Sequence, residues 1–576
     1  MDAADPPAWI VLGRTSRGAV AILLDAAATE YARDDFAEDA LAAWVAEVEA
    51  AHAPRWVWND APRWHPLLLA AGVRVARCHD LRLCHAILRD SALVAPTCAI
   101  GDAVEWDAAP HAQEDMAPAL FELDGAASGR TGLPDGADDA LAEFARQREA
   151  IAGSRDPGRL RLLTAAESAG ALIAAEMRAA GLPWDAAEHD RILVETLGER
   201  PLAGGQPARL AAAAARVRDA LGDPSASLDS QPKLLRALHR VGVLVESTSR
   251  WELGEHRHPV IEPLLEYKKL SRLLSANGWS WLAEWVADGR FRPVYIPGGV
   301  VTGRWASSGG GALQLPRQLR EAVRADPGWR LVVADVAQLE PRVLAAMSGD
   351  TALAAAARGR DLYAGIVESG AVATRQEAKI AILGAMYGAT TGESGRLVPR
   401  LRRAYPRAMG LVDEAARTGE DGGIVSTWLG RTSPPPSPEW SALQSRATEA
   451  EASGADETRA KRWARDRGRF TRNFVVQGTA AEWALAWLAD LRTRLAAMPP
   501  VAPEVAAPRS GPVFADRPHL AFFLHDEVIV HTPAEHADAV VQAVEEAAAA
   551  AGRLLFGGFP LDFRLDVRIA DTALKD

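Results

Sequence analysis

Cys78, Cys84 and Cys98 are the only cysteines in 576 residues. Their spacing repeats no metal-ligand pair, so neither a disulfide framework nor a zinc site is supported. No run of 18 apolar residues occurs, and no transmembrane helix is expected. The opening MDAADPPAW lacks a basic segment, so no secretory signal is expected and a reducing cytoplasm fits. Excess positive charge is missing too: the net charge is -12. That argues against a polyanion partner only if charge is spread evenly, because the local field governs contact. It is not spread evenly. Arg396 to Arg407 carries five arginines and no acid, and Arg459 to Arg472 carries seven basic residues and one acid. A chain of this length needs more than one core.

The stretch Leu331 to Gly388 organises the rest. Leu331 to Ala334 reads as a short buried strand with Asp335 where it runs out. Farther on, Arg375, Lys379, Leu383 and Tyr387 recur every four residues and fall within about a 120° arc of one helix. A carboxylate at a strand end beside a cationic helix face suits a metal-bound polyphosphate. A second acid is needed for two metals. HLAFFLHDEVIVHTP supplies it, as a β-hairpin with Asp526 at its tip.

DVAQLEPR, RQEAKIAILGAMYG and LHDE resemble, in order, motifs A, B and C of the family A DNA polymerases, the bacterial DNA polymerase I type. The resemblance runs from about Leu182 to the C-terminus. It implies an α+β fold: a right-hand polymerase fold (palm, fingers, thumb) preceded by an RNase H-like exonuclease-type α/β domain. The expected division is 1–160 for the exonuclease-like domain and 161–265 for a helical thumb. The palm with motif A would cover 266–350, the fingers 351–432, and an insertion followed by the palm with motif C 433–576. The implied activity is DNA-templated DNA synthesis with two Mg²⁺ ions. Primer-template DNA and deoxynucleoside triphosphates are the implied partners, with no membrane, for a cytoplasmic, nucleoid-associated monomer.

Site roles come from the same resemblance. Asp335, Asp526 and the Val336 carbonyl would hold the metals. Lys379 would neutralise the triphosphate and protonate pyrophosphate, Arg375 would bind the γ-phosphate, and Tyr387 would stack at the templating position. Gln338 and Glu340 match a Gln-x-Glu element whose Glu sits under the sugar, where a 2′-hydroxyl would clash. Arg304, in TGRW, would reach the minor groove at the primer end. Minor-groove acceptors are alike for all correct pairs, so a donor there checks geometry without reading sequence. Arg431, Arg469, Asn473, Gln477 and His525 are further expected DNA contacts. Three departures stand out. Tyr363 replaces a phosphate-binding His, Leu383 replaces the Phe or Tyr against the deoxyribose, and Leu313-Gln314-Leu315 replaces a Leu-Gln-Asn element.

The first 160 residues lack the acids that a 3′-5′ exonuclease needs. The first hairpin has no Asp-x-Glu pair, and Arg63 stands where an Asp is expected near Asn59. Thr164 and Ser168 replace a Tyr and an Asp, which leaves Asp80, more often a helix cap. A degenerate domain without proofreading is therefore expected. Residues 100 to 138 and the Pro-rich 433–457 read as irregular connections, the second of them mobile, and Ser230 as an N-cap. Two alternatives remain open at this level: a single-subunit RNA polymerase, against which Glu340 and the His525-Asp526-Glu527 turn argue, and a non-catalytic DNA-binding scaffold.

Overall fold

The computed structural model describes residues 6–16, 18–37, 39–107, 132–201, 204–308, 311, 315–388, 392–449 and 453–574. They form two compact units. The larger comprises Met1–Gly181, Pro293–Leu313 and Asp326–Ala570, and the smaller Leu182–Arg292, Gln314–Ala325 and Asp571–Asp576. The boundary expected at residue 160 falls inside the helix Pro157–Ala180.

The larger unit opens with a five-stranded sheet in the order β3-β2-β1-β4-β5. Strands β1 (Trp9–Thr15), β2 (Gly18–Leu24) and β3 (Glu30–Ala37) form an antiparallel meander, and β4 (Arg55–Trp58) and β5 (Arg77–Asp80) add parallel to β1. The apolar runs of β1 and β2 are buried, as their sequence requires. Strand β3 was not anticipated. Its sequence EYARDDFA is charged and mostly exposed, as suits an edge strand with no apolar alternation to reveal it. Asp80 does cap a helix: its carboxylate accepts the N–H groups of Leu83 at 3.0 Å and Ala61 at 2.7 Å. Of the expected connection at 100–138, residues 108–131 lie outside the described ones. Its beginning is not loose, for Trp106 is buried in the N-terminal core.

A second sheet carries the two acids. The hairpin strands His519–Leu524 and Glu527–Pro533, then Trp329–Val336, then Leu565–Ala570 lie side by side, all antiparallel. The run WRLVVADV is almost wholly buried, and the helix Ala537–Phe556 packs on it. A separate core surrounds the cationic helix, built from Leu344, Leu362, Ile382, Met386, Tyr405 and Met409 among others. The helix Gly454–Ala496 spans about 65 Å at 1.5 Å per residue. Its first half is polar and its second half buries Trp483, Trp487, Leu488 and Leu491. The stretch expected to be an irregular, mobile connection forms a helix, Pro438–Ala447, that packs on the long helix. Ser437 caps it, Pro438 starts it, and the Trp440 indole donates to the Trp463 carbonyl.

The smaller unit is mainly helical, with Ala208–Leu221 packed on Ile261–Asn277. Ser230 has the extended backbone of an N-cap, yet its side chain makes no capping hydrogen bond. Pro232 removes one of the N–H groups such a cap would bind.

Within the larger unit, Arg492 of the long helix is buried against residues 75–76 and the helix Pro157–Ala180. It donates to the Val75 and Ala76 carbonyls at 2.5 and 2.6 Å and pairs with Glu176 at 2.6 Å. Burial would push the Glu176 carboxyl up, but the charges of Arg492 and Arg74 hold it well below the usual carboxylate range. Removing Arg492 takes from buried Glu176 its more deeply buried cation and leaves it to Arg74 at 2.8 Å and His65 at 3.3 Å. Arg492→Met is expected to lower stability by about 3 to 5 kcal/mol in urea unfolding at neutral pH. A loss under about 1 kcal/mol would mean that Arg74 and His65 suffice for Glu176.

Candidate active site

The two acids meet through the backbone. The N–H of Val336 donates to the carbonyl of Asp526 at 2.9 Å, so the tip of the hairpin is tied to the end of the first acid's strand. In register, Asp335 stands opposite Glu527 on one neighbouring strand and opposite Asp566 on the other. Directly opposed residues share a sheet face, and like charges there repel. Glu527 is buried and Asp566 exposed. Asp566 was missed from sequence because it follows no motif, and only strand pairing brings it beside Asp335. Among the described residues, no group of three or more His, Cys, Asp or Glu side chains is arranged to hold a metal ion.

Two residues here adopt the left-handed region without being glycine. Gln338 has φ 52° and His525 φ 57°. Such backbone costs about 1 to 3 kcal/mol and persists where the surroundings enforce it. At His525 the hairpin must reverse between two buried strands. Gln338 turns the chain from strand into the helix Leu339–Ser348. Arg342, fully buried, clamps that turn by donating to the carbonyls of Ala337, Ala357, Arg360 and Asp562 at 2.8 to 3.0 Å. The sequence shows only an arginine inside an apolar run, and nothing local marks the four carbonyls.

The cationic helix Arg375–Tyr387 begins at a capping box, Thr374 with Glu377, and ends at Gly388 in the left-handed conformation. Ala378, Ala381, Ile382, Ala385 and Met386 face the core. The expected face is thereby turned outward: Arg375, Lys379 and Tyr387 are exposed and Leu383 is half-buried. Arg375 pairs with Asp361 at 2.8 Å and lies over the Tyr363 ring, 5.4 Å from its centre. Asp361 also accepts from Gln338 at 3.1 Å and caps its own helix. Burial opposes its ionisation, but the Arg375 hydrogen bond leaves its carboxyl below the usual range. Burial pushes the Tyr363 phenol up to about 12, so it stays neutral.

Glu340 joins two other expected residues. It accepts from Arg304 and, at 2.6 Å, from the Tyr387 hydroxyl. Burial, then this hydrogen bond, raises the Tyr387 phenol. Partial burial, with the Arg304 charge second, lowers His525, which favours the neutral imidazole. A cavity of about 270 Å³ opens among Arg304, Gln338, Glu340, Tyr363, Leu383, Tyr387, His525 and Asp526. Gln477 accepts from the Thr302 hydroxyl at 3.2 Å, and Arg469 packs across Gly388. Asn473 lies one turn from each on the same helix face. Arg431 is the least exposed cation of the set, paired with Glu167 of the helix Pro157–Ala180 at 2.6 Å. Gln314 and Leu313 lie outside the described residues.

A family model for DNA polymerase family A matches residues 242–571. The chain belongs to DNA polymerase family A. Relatives agree. The thermostable DNA polymerase I of Thermus filiformis is 27% identical over 343 residues, 54% of this chain and 36% of that one. The DNA polymerase I of Chloroflexus aurantiacus is 29% identical over 338 residues, 54% and 32% of the two. The chain thus spans about a third of the length of these relatives. The POL domain of Pol1 from M. smegmatis, solved with DNA primer-template and dNTP, matches with a TM-score of 0.65 at 18% identity. That match covers 98% of this chain and 95% of that one. The fold is accordingly that of a family A polymerase domain, and no helix among the described residues is long and apolar enough to cross a membrane.

The hairpin tip generates a prediction. His525→Gly is expected to stabilise the protein by up to about 1 kcal/mol in thermal unfolding, the left-handed cost relieved less the chain entropy glycine adds. A destabilised variant would show that the imidazole contributes more packing than its backbone costs.

Proposed function

We propose that this chain is a DNA-templated DNA polymerase that adds deoxynucleotides to a primer 3′ end. The observation that carries the reading is the junction of Asp335 and Asp526 by the Val336 N–H, beside a cavity shared with the helix of Arg375 and Lys379. Family membership supports it, and so does a structural neighbour that holds a primer-template and a dNTP.

The donors present fit magnesium. Two carboxylates at adjoining strand ends are hard oxygen ligands, and Mg²⁺ takes its remaining ligands from water and phosphates. Asp335, Asp526 and the Val336 carbonyl would hold it. The chemistry supplied there when metal is bound would be activation of a primer hydroxyl and offset of triphosphate charge. The chain's own groups do the rest. Lys379 is exposed and makes no ion pair among the described residues, so it is available to phosphate and to the leaving pyrophosphate. Arg375 reaches the triphosphate tail from its place between Asp361 and Tyr363. Glu340, fixed by Arg304 and Tyr387, occupies the sugar's 2′ side and disfavours ribonucleotides. Tyr387, half exposed, offers a ring at the templating position. Leu383 and Tyr363 line the nucleotide pocket, and Arg304, Arg469, Asn473, Gln477 and His525 face the duplex.

The N-terminal domain is proposed not to proofread. Both Asp80 oxygens are engaged by backbone N–H groups, and burial, then the neighbouring Asp60, pushes its carboxyl up to about 7. Asp60 in turn is paired with Arg82 at 3.0 Å. A carboxyl so committed is a poor metal ligand.

Extension of a labelled primer with Mg²⁺ tests the reading, using dNTPs and rNTPs separately. Template-directed extension with dNTPs alone is expected, without 3′ shortening when nucleotides are withheld. Asp526→Asn should slow it by at least about a thousandfold, the several kcal/mol that metal-assisted charge stabilisation supplies. Extension with rNTPs would favour an RNA polymerase. Tight duplex binding without extension would favour a scaffold.

A further inference from the structure

Arg304 projects from a loop that is held from behind, and we propose that Arg431 is the positioning residue that holds it. Arg431 would set the reading of the primer terminus without touching DNA. The inference rests on the polymerase reading above.

The Arg431 side chain is 13% exposed, and its Nη2 is committed to Glu167, itself 1% exposed. By contrast the Arg469 side chain is 58% exposed. The Arg431 guanidinium lies close against Gly303. A Cβ at Gly303 would come within 2.5 Å of Nε and 2.9 Å of Cζ, so no larger residue fits between them. Gly303 also has φ +83°, a backbone that side chains disfavour. The Thr302–Arg304 turn is therefore shaped around the guanidinium.

Arg431 is itself fixed. Its N–H donates to the Thr427 hydroxyl at 3.0 Å, and its carbonyl accepts the Thr427 N–H at 2.8 Å. The Thr427 hydroxyl donates to buried Glu482, which accepts the Leu429 N–H at 2.9 Å as well. The long helix adds a second hold: the Thr302 hydroxyl donates to Gln477, and a Cβ at Gly478 would clash with the Thr427 methyl and meet the Thr302 carbonyl at 3.1 Å. The loop is thus held by Arg431 and by the long helix, and Arg304 pairs with Glu340. Charge runs from Glu167 to Arg431, and shape from Arg431 through Gly303 to Arg304. A buried, ion-paired guanidinium has little surface to offer a phosphate, but it can hold a loop in one place.

A double-mutant cycle separates positioning from contact. Single-turnover extension would be measured for wild type, Arg304→Ala, Arg431→Ala and the double variant, with the salt dependence of duplex affinity for each. Arg304→Ala is expected to slow extension of a matched primer end by about 10- to 100-fold. Arg431→Ala should come within about threefold of that, and the double should be no slower than Arg304→Ala. The salt slope of Arg431→Ala should match wild type. Multiplying effects, or a slope reduced by about one phosphate contact, would overturn the proposal. Should Arg431→Ala misfold with Glu167 left unpaired, Arg431→Ala with Glu167→Gln removes that charge. The cycle on that background must show the same coupling, and additivity there overturns the proposal. If Arg304→Ala extends matched ends like wild type, the reading of Arg304 fails and the inference with it. If Arg304→Ala is slow and Arg431→Ala is not, only the inference fails.

Discussion

One backbone hydrogen bond, from Val336 N–H to the Asp526 carbonyl, sets the geometry that matters most. It closes the last rung between a buried strand and a hairpin tip. Because side chains alternate along a strand, a slip of one residue would turn Asp335 into the core and a buried valine outward. The Asp335 charge opposes that slip, because it would enter a layer filled by the buried runs Leu331–Ala334 and Val528–Val530. The chemistry thus depends on hydrophobic register: core packing decides where the carboxylates stand.

Polar groups then fix the surroundings. Glu340 holds Arg304 and Tyr387, and Asp361 holds Arg375 and Gln338. Each carboxylate gathers residues from sequence stretches tens of positions apart. The strained backbone at Gln338 and His525 lies between these hubs and the acids. Strain at these two turns, at the ends of buried strands, suits a site organised before its substrate arrives. Arg342, buried, and Arg431, mostly buried, stand behind it, the first bonded to four carbonyls and the second to a carboxylate.

The sheet strands and the cationic helix were legible because their signals are local. LVVA and FFL are apolar runs that end at acids, and Arg375, Lys379, Leu383 and Tyr387 keep a helical spacing between a Thr-Glu box and a glycine. What was not legible is non-local or polar. The edge strand Glu30–Ala37 has no apolar alternation. The helix Pro438–Ala447 lies in a Pro-rich stretch whose fate is decided by packing on the long helix. Asp566 joins the acids only through strand pairing, and Asp361 reads as an ordinary helix cap until Arg375 is found beside it.

On the proposed function, Asp335 and Asp526 make one site. Mn²⁺ binding, followed by electron paramagnetic resonance with primer-template and an unreactive deoxynucleotide analogue, tests it directly. Ion binding that the analogue strengthens is expected, and either Asp335→Asn or Asp526→Asn should remove this enhancement entirely. Full enhancement surviving in either variant would contradict it, since the two carboxylates would then be acting apart.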